Sequence, residues 1–583
     1  MKTDTITRLG FYIALLATVM ADSLYSVIVN SPNTDTGVMI GNKVYPLSPS
    51  SKSPILWQGI APSNVDYSYV KIEKGTSKII EREPFSRSAI QNDTVNEFFN
   101  RNWNTKPMVT FDTIESIPKN FNRHFDNQLL HPIGEIPTIH IVAAQSDIDN
   151  IHKNYLDDIT ISSNMTYIST STVQLFTNVG FEVGGRSSRL FTKLAYNIKL
   201  AKKGGNLGGY RKLKLRTTVS DPSYMREYLA TEMIYAANQP CSRASHVRVF
   251  INDRAIGLFS LLEKYDDTWL ANTFGSGDIK SYSNGLLYEG EGGKKDENRA
   301  DLSYKGDNPA LYDSSAYSVA ENPAQGVKND FSDLIVFTKF IRDQIEFQKG
   351  NNRSAIEATK PLWEQQIDVE GFLVGMALEF IQGSWDAYQQ NTNNYFLYKS
   401  PEQNRFIFIS WDFDYVMGSG PVNMKALAVG DYNSYGGAQL RPLMVALLNV
   451  PSYRELYEKN LNRIITSLYN PSKSFPVIDS VYSLLEDDVA WDKSLDHVRK
   501  GPEYLTLENL FKDSLGDDAG RPLCISYLNA IEFLIRINSK ISFFKAVEGK
   551  TGHSSLYSIK GWINEKLENV KNKTTYKQLL PLK

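Results

Sequence analysis

Gly383-Ser384-Trp385-Asp386-Ala387-Tyr388-Gln389-Gln390-Asn391-Thr392-Asn393-Asn394-Tyr395-Phe396-Leu397-Tyr398 reads as a helix end, a loop dense in carboxylate and amide groups, and the start of an aromatic strand. A turn at Pro401-Glu402-Gln403-Asn404 leads to a second strand, Arg405 to Ile409, and then to Ser410-Trp411-Asp412-Phe413-Asp414-Tyr415-Val416-Met417-Gly418. Antiparallel strands of similar length bring the residue before the first beside the residue after the second, so Asp386, Asn394 and Asp412 are expected to converge. Two carboxylates and an amide oxygen facing one another repel unless a cation neutralises them, and hard oxygen donors suit Mg2+ or Mn2+. Kinase-type phosphoryl transfer uses this set, with one Asp orienting the acceptor hydroxyl while an Asn and a later Asp hold the metals on the nucleotide. The plainer alternative is an Asp-x-Asp turn that only caps its own backbone. An EF-hand fits badly, because Met417 stands where the sharp-turn Gly belongs and Asn423 where the bidentate Glu belongs.

Working upstream, Gly184-Gly185-Arg186-Ser187-Ser188-Arg189 lies between two strand-like runs and can either cover phosphates with backbone N–H groups or form an ordinary hairpin turn. Lys193, Lys199 and Lys214 follow on strands, and Glu227 lies on the next helix, so a strand-lysine to helix-glutamate ion pair is sterically available. That helix is expected to start at Asp221-Pro222-Ser223, an oxygen-bearing cap followed by Pro, and to end near Gln239-Pro240. A hairpin follows, Val247 to Ile251 and Ile256 to Leu262, turning at Asn252-Asp253.

Beyond this centre the order is short strands first and helices last. Alternating runs from Tyr25 to about Ser86 predict a small β-sandwich, with a polar boundary near Asn92 to Asn104, and strands resume at Thr138-Ile139-His140-Ile141-Val142. The stretch 267–330, rich in Gly, Asp, Asn and Ser, predicts an elaborate loop or lid. Helices are expected at Val369 to Gln382, Leu440 to Asn449, Tyr453 to Leu468 and Ile525 to Val547.

At the N-terminus Lys2 and Arg8 precede an apolar run that ends Val19-Met20-Ala21, the pattern of a secretory signal peptide over residues 1–21, although a retained membrane anchor is the alternative. Asn-x-Ser/Thr acceptors at Asn92, Asn164, Asn352 and Asn572 fit an extracellular route. No later run is long and apolar enough to span a bilayer, and the final residues Leu579-Leu580-Pro581-Leu582-Lys583 are no lipid-anchor signal. The expectation is a secreted, lumenal or cell-surface protein.

Composition narrows the class. The 583 residues carry 63 basic and 65 acidic side chains, a net charge of −2, which argues against a nucleic-acid partner. Apolar residues at 42% and charged residues at 22% exclude a disordered chain and provide for two to four domains or one large enzyme body with an appendage. Two cysteines, Cys241 and Cys524, permit at most one disulfide and no cysteine zinc site.

The ordered series Gly185-Arg186-Ser187-Ser188 with Lys193, Leu213-Lys214-Leu215-Arg216 to Arg226-Glu227, Val249-Phe250-Ile251-Asn252 through Gly257-Leu258-Phe259, Trp385-Asp386, Asn394-Tyr395-Phe396-Leu397-Tyr398 and Trp411-Asp412-Phe413-Asp414 resembles the spore coat protein CotH family. The resemblance runs from about Ile136 to Gly418, and Ala490-Trp491-Asp492-Lys493-Ser494 with the β-rich N-terminal region is similar to the secreted fungal branch, whose members include invasins that bind host receptors. It implies an α+β, atypical protein-kinase-like two-lobed fold. The β-rich N-lobe would be residues 136–265 and the mainly helical C-lobe 266–583, preceded by the sandwich at 22–95 and a linker at 96–135. It also implies ATP-dependent phosphorylation of Ser or Thr hydroxyls on secreted or surface proteins, with Mg2+ or Mn2+ as the metal. Asp386 matches the catalytic Asp and Asp412 the metal-binding Asp, with Asp414 beside it. Asn394, set directly against the strand, is favoured over Asn391 as the metal-binding Asn. Arg189, Lys193, Lys214 and Glu227 are the nucleotide-site candidates, with Lys193 and Lys214 both open as the phosphate contact. A surface adhesin that keeps the fold without turnover is the alternative, and it needs no ATP.

Overall fold

The computed structural model describes residues 22–573 except 122, 125–126, 293–298, 313–315 and 504–526. The segment 1–21 and Cys524 therefore lie outside the described residues, as does the start of the Ile525 to Val547 run.

Residues 22–104 with Thr170–Thr172 make one compact unit, and Thr105–Ser169 with the chain from Val173 onward make a second. In the first, strands β1 (Asp22–Ile28), β2 (Thr34–Ile40), β3 (Lys43–Pro46), β4 (Ser48–Ser50), β5 (Ser53–Pro62), β6 (Tyr67–Glu73), β7 (Ile79–Arg82) and β8 (Asn96–Phe98) form two four-stranded sheets, ordered β4-β5-β1-β8 and β3-β2-β6-β7. Tyr25, Val27, Val38, Trp57 and Tyr69 alternate inward from these strands into one core. The unit extends past the expected boundary at 95 because Asn96–Phe98 pairs in parallel with Ser26–Ile28, and that pairing is locked by charge. Glu97 accepts from the Tyr67 and Tyr69 hydroxyls (2.8 Å each) and pairs with Arg87 (3.0 Å), a buried knot in which every charged group has a partner.

The second unit is built on a closed seven-stranded barrel in the order β10-β11-β12-β13-β15-β14-β9. Its members are β9 (Thr138–Val142), β10 (Thr160–Ile168), β11 (Val173–Val183), β12 (Tyr196–Lys199), β13 (Lys212–Arg216), β14 (Ala244–Ile251) and β15 (Arg254–Glu263). All pairs are antiparallel except β9 with β14, which closes the ring in parallel with Thr138 opposite Arg248. The sequence Lys212-Leu213-Lys214-Leu215-Arg216 decides what this barrel presents. With a period of two, Leu213 and Leu215 enter the barrel core and Lys214 and Arg216 share the outer face.

The helix after β13 begins at Arg226, not at Asp221–Ser223 as its cap chemistry suggested, and runs to Ala236. Met225 holds the cap position and makes no side-chain cap bond; Asp221, four residues earlier, still accepts from the Arg226 N–H at 2.9 Å, but Tyr224 takes a left-handed φ of 56° and interrupts the helical path. That conformation costs a bulky residue about 1–2 kcal/mol. Nor is 267–330 a bare loop: it contains a helix, Asp267–Phe274, and strands β16 (Leu287–Gly290) and β17 (Tyr317–Glu321). These join β18 (Tyr395–Ser400) and β19 (Arg405–Ser410) in a sheet ordered β17-β16-β18-β19, so the hairpin gains two partner strands drawn from a stretch too polar to announce them.

The remainder is helical, giving an α+β unit. Val369–Gln382 is buried along almost its whole length and ends at Gly383 in the left-handed conformation (φ 64°), where a Cβ would run into the Trp562 ring. Pro471–Ser494 sets Asp488 and Asp492 one turn apart against the barrel. Asp488 takes both ends of the Arg248 fork (2.6 and 2.8 Å). The expected helix 525–547 is two helices, Tyr527–Ile537 and Phe543–Val547, separated where Ser542 caps the second by accepting from Lys545 N–H. Among the described residues no helix is long and apolar enough to cross a membrane.

Candidate active site

The hairpin brings its flanks together. Tyr395 pairs with Ser410, and the Trp411 N–H donates to the Asn394 carbonyl at 3.0 Å, so the loop before β18 touches the turn after β19. Within the loop three side-chain amides converge on Asp386. Asn391 Nδ2 (2.5 Å) and Asn393 Nδ2 (3.2 Å) donate to its Oδ1, and Asn394 Nδ2 donates to Oδ2 (3.1 Å) and to the Asp386 carbonyl (2.8 Å). Thr392, Asn394 and Asp412 all stand at positive φ (52°, 54° and 63°), a concentration of left-handed backbone of the kind found where a site holds side chains in fixed directions. Asp386, Asn391, Asn393, Asn394, Asp412 and Asp414 are only half-buried in a stretch whose other residues are mostly buried, so these groups line a recess open to solute.

Opposite them stands the outer face of β13. Arg216 Nη2 donates to Asp412 Oδ2 at 2.6 Å, its Nη1 lies 3.3 Å from Asp414 Oδ2, and its Nε lies 2.6 Å from Glu227 Oε2. Lys214 Nζ lies 3.7 Å from Asp412 Oδ2 and 5.5 Å from the centre of the Trp411 ring. Four carboxylates, Asp386, Asp412, Asp414 and Glu227, thus face two cations.

The titration of the cluster records that imbalance. Burial pushes Asp412 up, but the Arg216 and Lys214 charges outweigh it and hold the carboxyl well below the usual carboxylate range. Asp414 is raised well above that range, by burial first and then by the Asp412 charge, and the two share a hydrogen bond. Burial likewise raises Glu227 despite the opposing charge of Arg216. Asp386 is raised to about 6 by burial, with Asn391 pulling it down and the Asp412 charge pushing it up. Lys214 is lowered by burial and by the neighbouring Arg216 charge.

Asp386, Asn391, Asn394, Asp412, Asp414, Lys214 and Glu227 are therefore brought to one recess, and Lys193 and Arg189 are not. Lys193 Nζ is buried against Asp492 Oδ1 (2.7 Å) and the Leu258 carbonyl (2.5 Å), fastening the barrel to helix Pro471–Ser494. Arg189 binds Asp158 Oδ1 (2.5 Å) and the Leu156 carbonyl (2.8 Å). Arg186 reaches from the glycine turn to Glu291 Oε2 at 2.5 Å. Arg216 was missed as a functional candidate, and it is Arg216, not Lys214, that stands in ion-pair contact with Glu227. The alternation of β13 already puts it on the face of Lys214, which is the signal that could have found it. Asn393 was missed for want of any feature separating it from its neighbours.

Among the described residues no three His, Cys, Asp or Glu side chains converge as a ready-made metal site. The recess nevertheless suits a divalent cation. Its donors are hard oxygens, two of its carboxylates meet closely enough to share a hydrogen bond, and two surplus negative charges are otherwise relieved only by protonation. Cys241 is a buried free thiol. Asn92, Asn164, Asn352 and Asn572 are all exposed.

Comparison with known proteins places these residues in a family. A family model described as CotH kinase protein matches residues 181–501, from β11 past helix Pro471–Ser494. Invasin CotH3 from Rhizopus delemar is 25% identical over 501 residues, covering 82% of this chain and 77% of its own. Spore coat protein homolog 1 from the same organism is 24% identical, covering 86% and 78%. Inner spore coat protein H from Bacillus subtilis is 22% identical over 363 residues, 62% of this chain and 89% of its own.

Proposed function

The chain belongs to the CotH kinase protein family, and on that footing we propose that it is a metal-dependent phosphotransferase carrying the γ-phosphate of ATP to Ser or Thr hydroxyls of secreted or surface proteins. The observation that supports this reading is the meeting of Asp386 with its three amides, the Asp412/Asp414 pair, and the Lys214, Arg216 and Glu227 charges in one recess. Asp386 plays the base. Raised to about 6, it is ionised at neutral pH yet basic enough to accept the hydroxyl proton, and its three amide donors fix the direction in which it accepts. Asp412 and Asp414, with the amide oxygen of Asn394 or Asn391, hold Mg2+ or Mn2+, which when bound neutralises the phosphate charge. Lys214 reaches the phosphates, and Arg216 holds Glu227 and Asp412 in register.

The test is transfer of the γ-phosphate from Mn2+- or Mg2+-ATP to the protein itself and to a generic acceptor, with Asp412→Ala in parallel. Incorporation by the parent that the variant loses supports the reading; incorporation that the variant keeps refutes it.

A second reading, a surface adhesin, is favoured by relatives that carry the name invasin. It puts the protein at a cell surface facing a host receptor and makes ATP unnecessary. It requires Asp386→Asn and Asp412→Ala to bind partner cells as the parent does, and loss of adhesion in either would exclude it.

A further inference from the structure

A cavity of about 650 Å³ opens on the other side of the segment that joins Arg216 to Glu227, between the barrel and the C-terminal end of helix Pro471–Ser494. Thr218 and Tyr224, both on that joining segment, form part of its wall. Both carboxylates of the wall accept hydrogen bonds, and of the two Asp492 alone faces a cation within ion-pair distance among the described residues. Asp492 Oδ1 accepts from Lys193 Nζ (2.7 Å) and the Leu258 N–H (2.7 Å), and Oδ2 from the Tyr224 hydroxyl (2.7 Å). Glu503 accepts from the Thr192 N–H and hydroxyl at 2.6 Å each. The wall's ammonium groups are not so matched. Lys493 Nζ donates to the Ile541 carbonyl (3.0 Å), and among the described residues neither Lys493 nor Lys540 has a carboxylate within ion-pair distance. Lys193, Lys493 and Lys540 against Asp492 and Glu503 leave the wall one positive charge in surplus, while Val219, Pro222, Ile537 and Ile541 add an apolar side for a carbon skeleton. Two separate point charges, with no guanidinium fork among them, suit a tetrahedral phosphate better than a planar carboxylate.

We propose that this cavity is a second ligand site, for a small organic phosphate, and that its occupancy is coupled to the Arg216–Glu227 pair through Thr218 and Tyr224. Coupling has a structural route because Tyr224 does three things at once. It contributes to the wall, fastens to Asp492 on the far element, and holds the left-handed turn (φ 56°) that sets where the helix bearing Glu227 begins. A ligand pressing on Tyr224 therefore bears on the position of Glu227, and reciprocally a cation at the acidic recess changes affinity in the cavity. The binding claim stands apart from phosphotransfer, and both claims are read without activity.

Calorimetric titration of the full chain with glycerol 2-phosphate is the test. The expected result is one site per chain, absent with glycerol alone. The exposed substitutions Lys540→Gln and Lys493→Gln should each weaken binding about tenfold, while the exposed Lys571→Gln, which does not line the cavity, should leave it unchanged. No heat at millimolar probe, parental affinity in both lysine variants, or an equal loss in Lys571→Gln would overturn the site. Malonate binding as tightly as the phosphate would overturn the ligand class. For the coupling, Mn2+ affinity measured with and without saturating glycerol 2-phosphate should differ, and identical values would overturn it.

Discussion

Arg216 and Asp412 meet at 2.6 Å across 196 residues of sequence, joining the outer face of a barrel strand to the turn that follows a hairpin of another sheet. The same guanidinium serves Glu227 and Asp414, so Arg216→Met leaves the four carboxylates of the recess around one lysine. Removing one side of a buried ion pair costs about 3–5 kcal/mol. The expected outcome is a loss of that size in urea unfolding at pH 7 that shrinks as the pH falls and the stranded carboxylates protonate. An equal loss at every pH would mean that packing, not charge, is at stake.

Asp386 and Asp412 should fail differently. Asp386→Asn keeps metal-dependent nucleotide binding and lowers kcat by about 10²–10⁴, the usual contribution of a general base. Asp412→Ala abolishes nucleotide binding and transfer together. Equilibrium binding of a fluorescent ATP analogue alongside single-turnover kinetics separates the two.

The pH dependence follows from the Asp386 carboxyl, raised to about 6 chiefly by burial. As a base it must be ionised, so kcat/KM should climb with pH through about 6 and then level. Stability runs the other way. The folded pKa lies above the unfolded value of about 3.9, so the folded state holds the proton more tightly and stability declines as pH rises from about 4 through 6. Asp386→Asn should therefore melt higher than the parent at pH 7 and lose that advantage below about pH 4. A melting temperature gap that ignores pH would sink this account.

Lys214 and Lys193 divide cleanly. Lys214→Ala should raise the KM for ATP by about tenfold to a hundredfold with modest effect on folding, as loss of a charge-assisted contact does. Lys193→Ala should destabilise the chain by about 3–5 kcal/mol, because it strands a buried Asp492, and leave ATP affinity in the surviving folded protein unchanged.

The local parts of the site were legible in the sequence and the distant ones were not. Asp386, Asn394 and Asp412 belong to one hairpin, so strand antiparallelism alone brings them together, and the period-two pattern of Lys212 to Arg216 fixes which side chains share a face. The partner of that face is another matter. Lys193 lies 299 residues from Asp492, and nothing in either neighbourhood tells a pair that fastens two elements from one that holds phosphate. Strand pairing hid in the same way, since β16 and β17 are recruited by the hairpin edge and not by their own propensity. The late start of the helix at Arg226 depends on Tyr224 being drawn to Asp492, a pull that the capping pattern Asp221-Pro222-Ser223 does not contain. The two-lobed kinase arrangement came from resemblance, and the α+β class is what the elements themselves establish.

Gly383, which ends the helix leading into the Asp386 loop, and Gly418, which closes the Asp412 turn, both pack on the ring of Trp562. That ring belongs to a helix, Ile559–Lys571, well over a hundred residues further along the chain. On the ribosome, then, the barrel and the hairpin can be complete while the platform beneath both aspartates is still inside the exit tunnel. The nascent protein carries every acidic group of the recess before it has the ring on which both flanking glycines pack, so the last support of the Asp386 and Asp412 loops arrives only when residue 562 emerges.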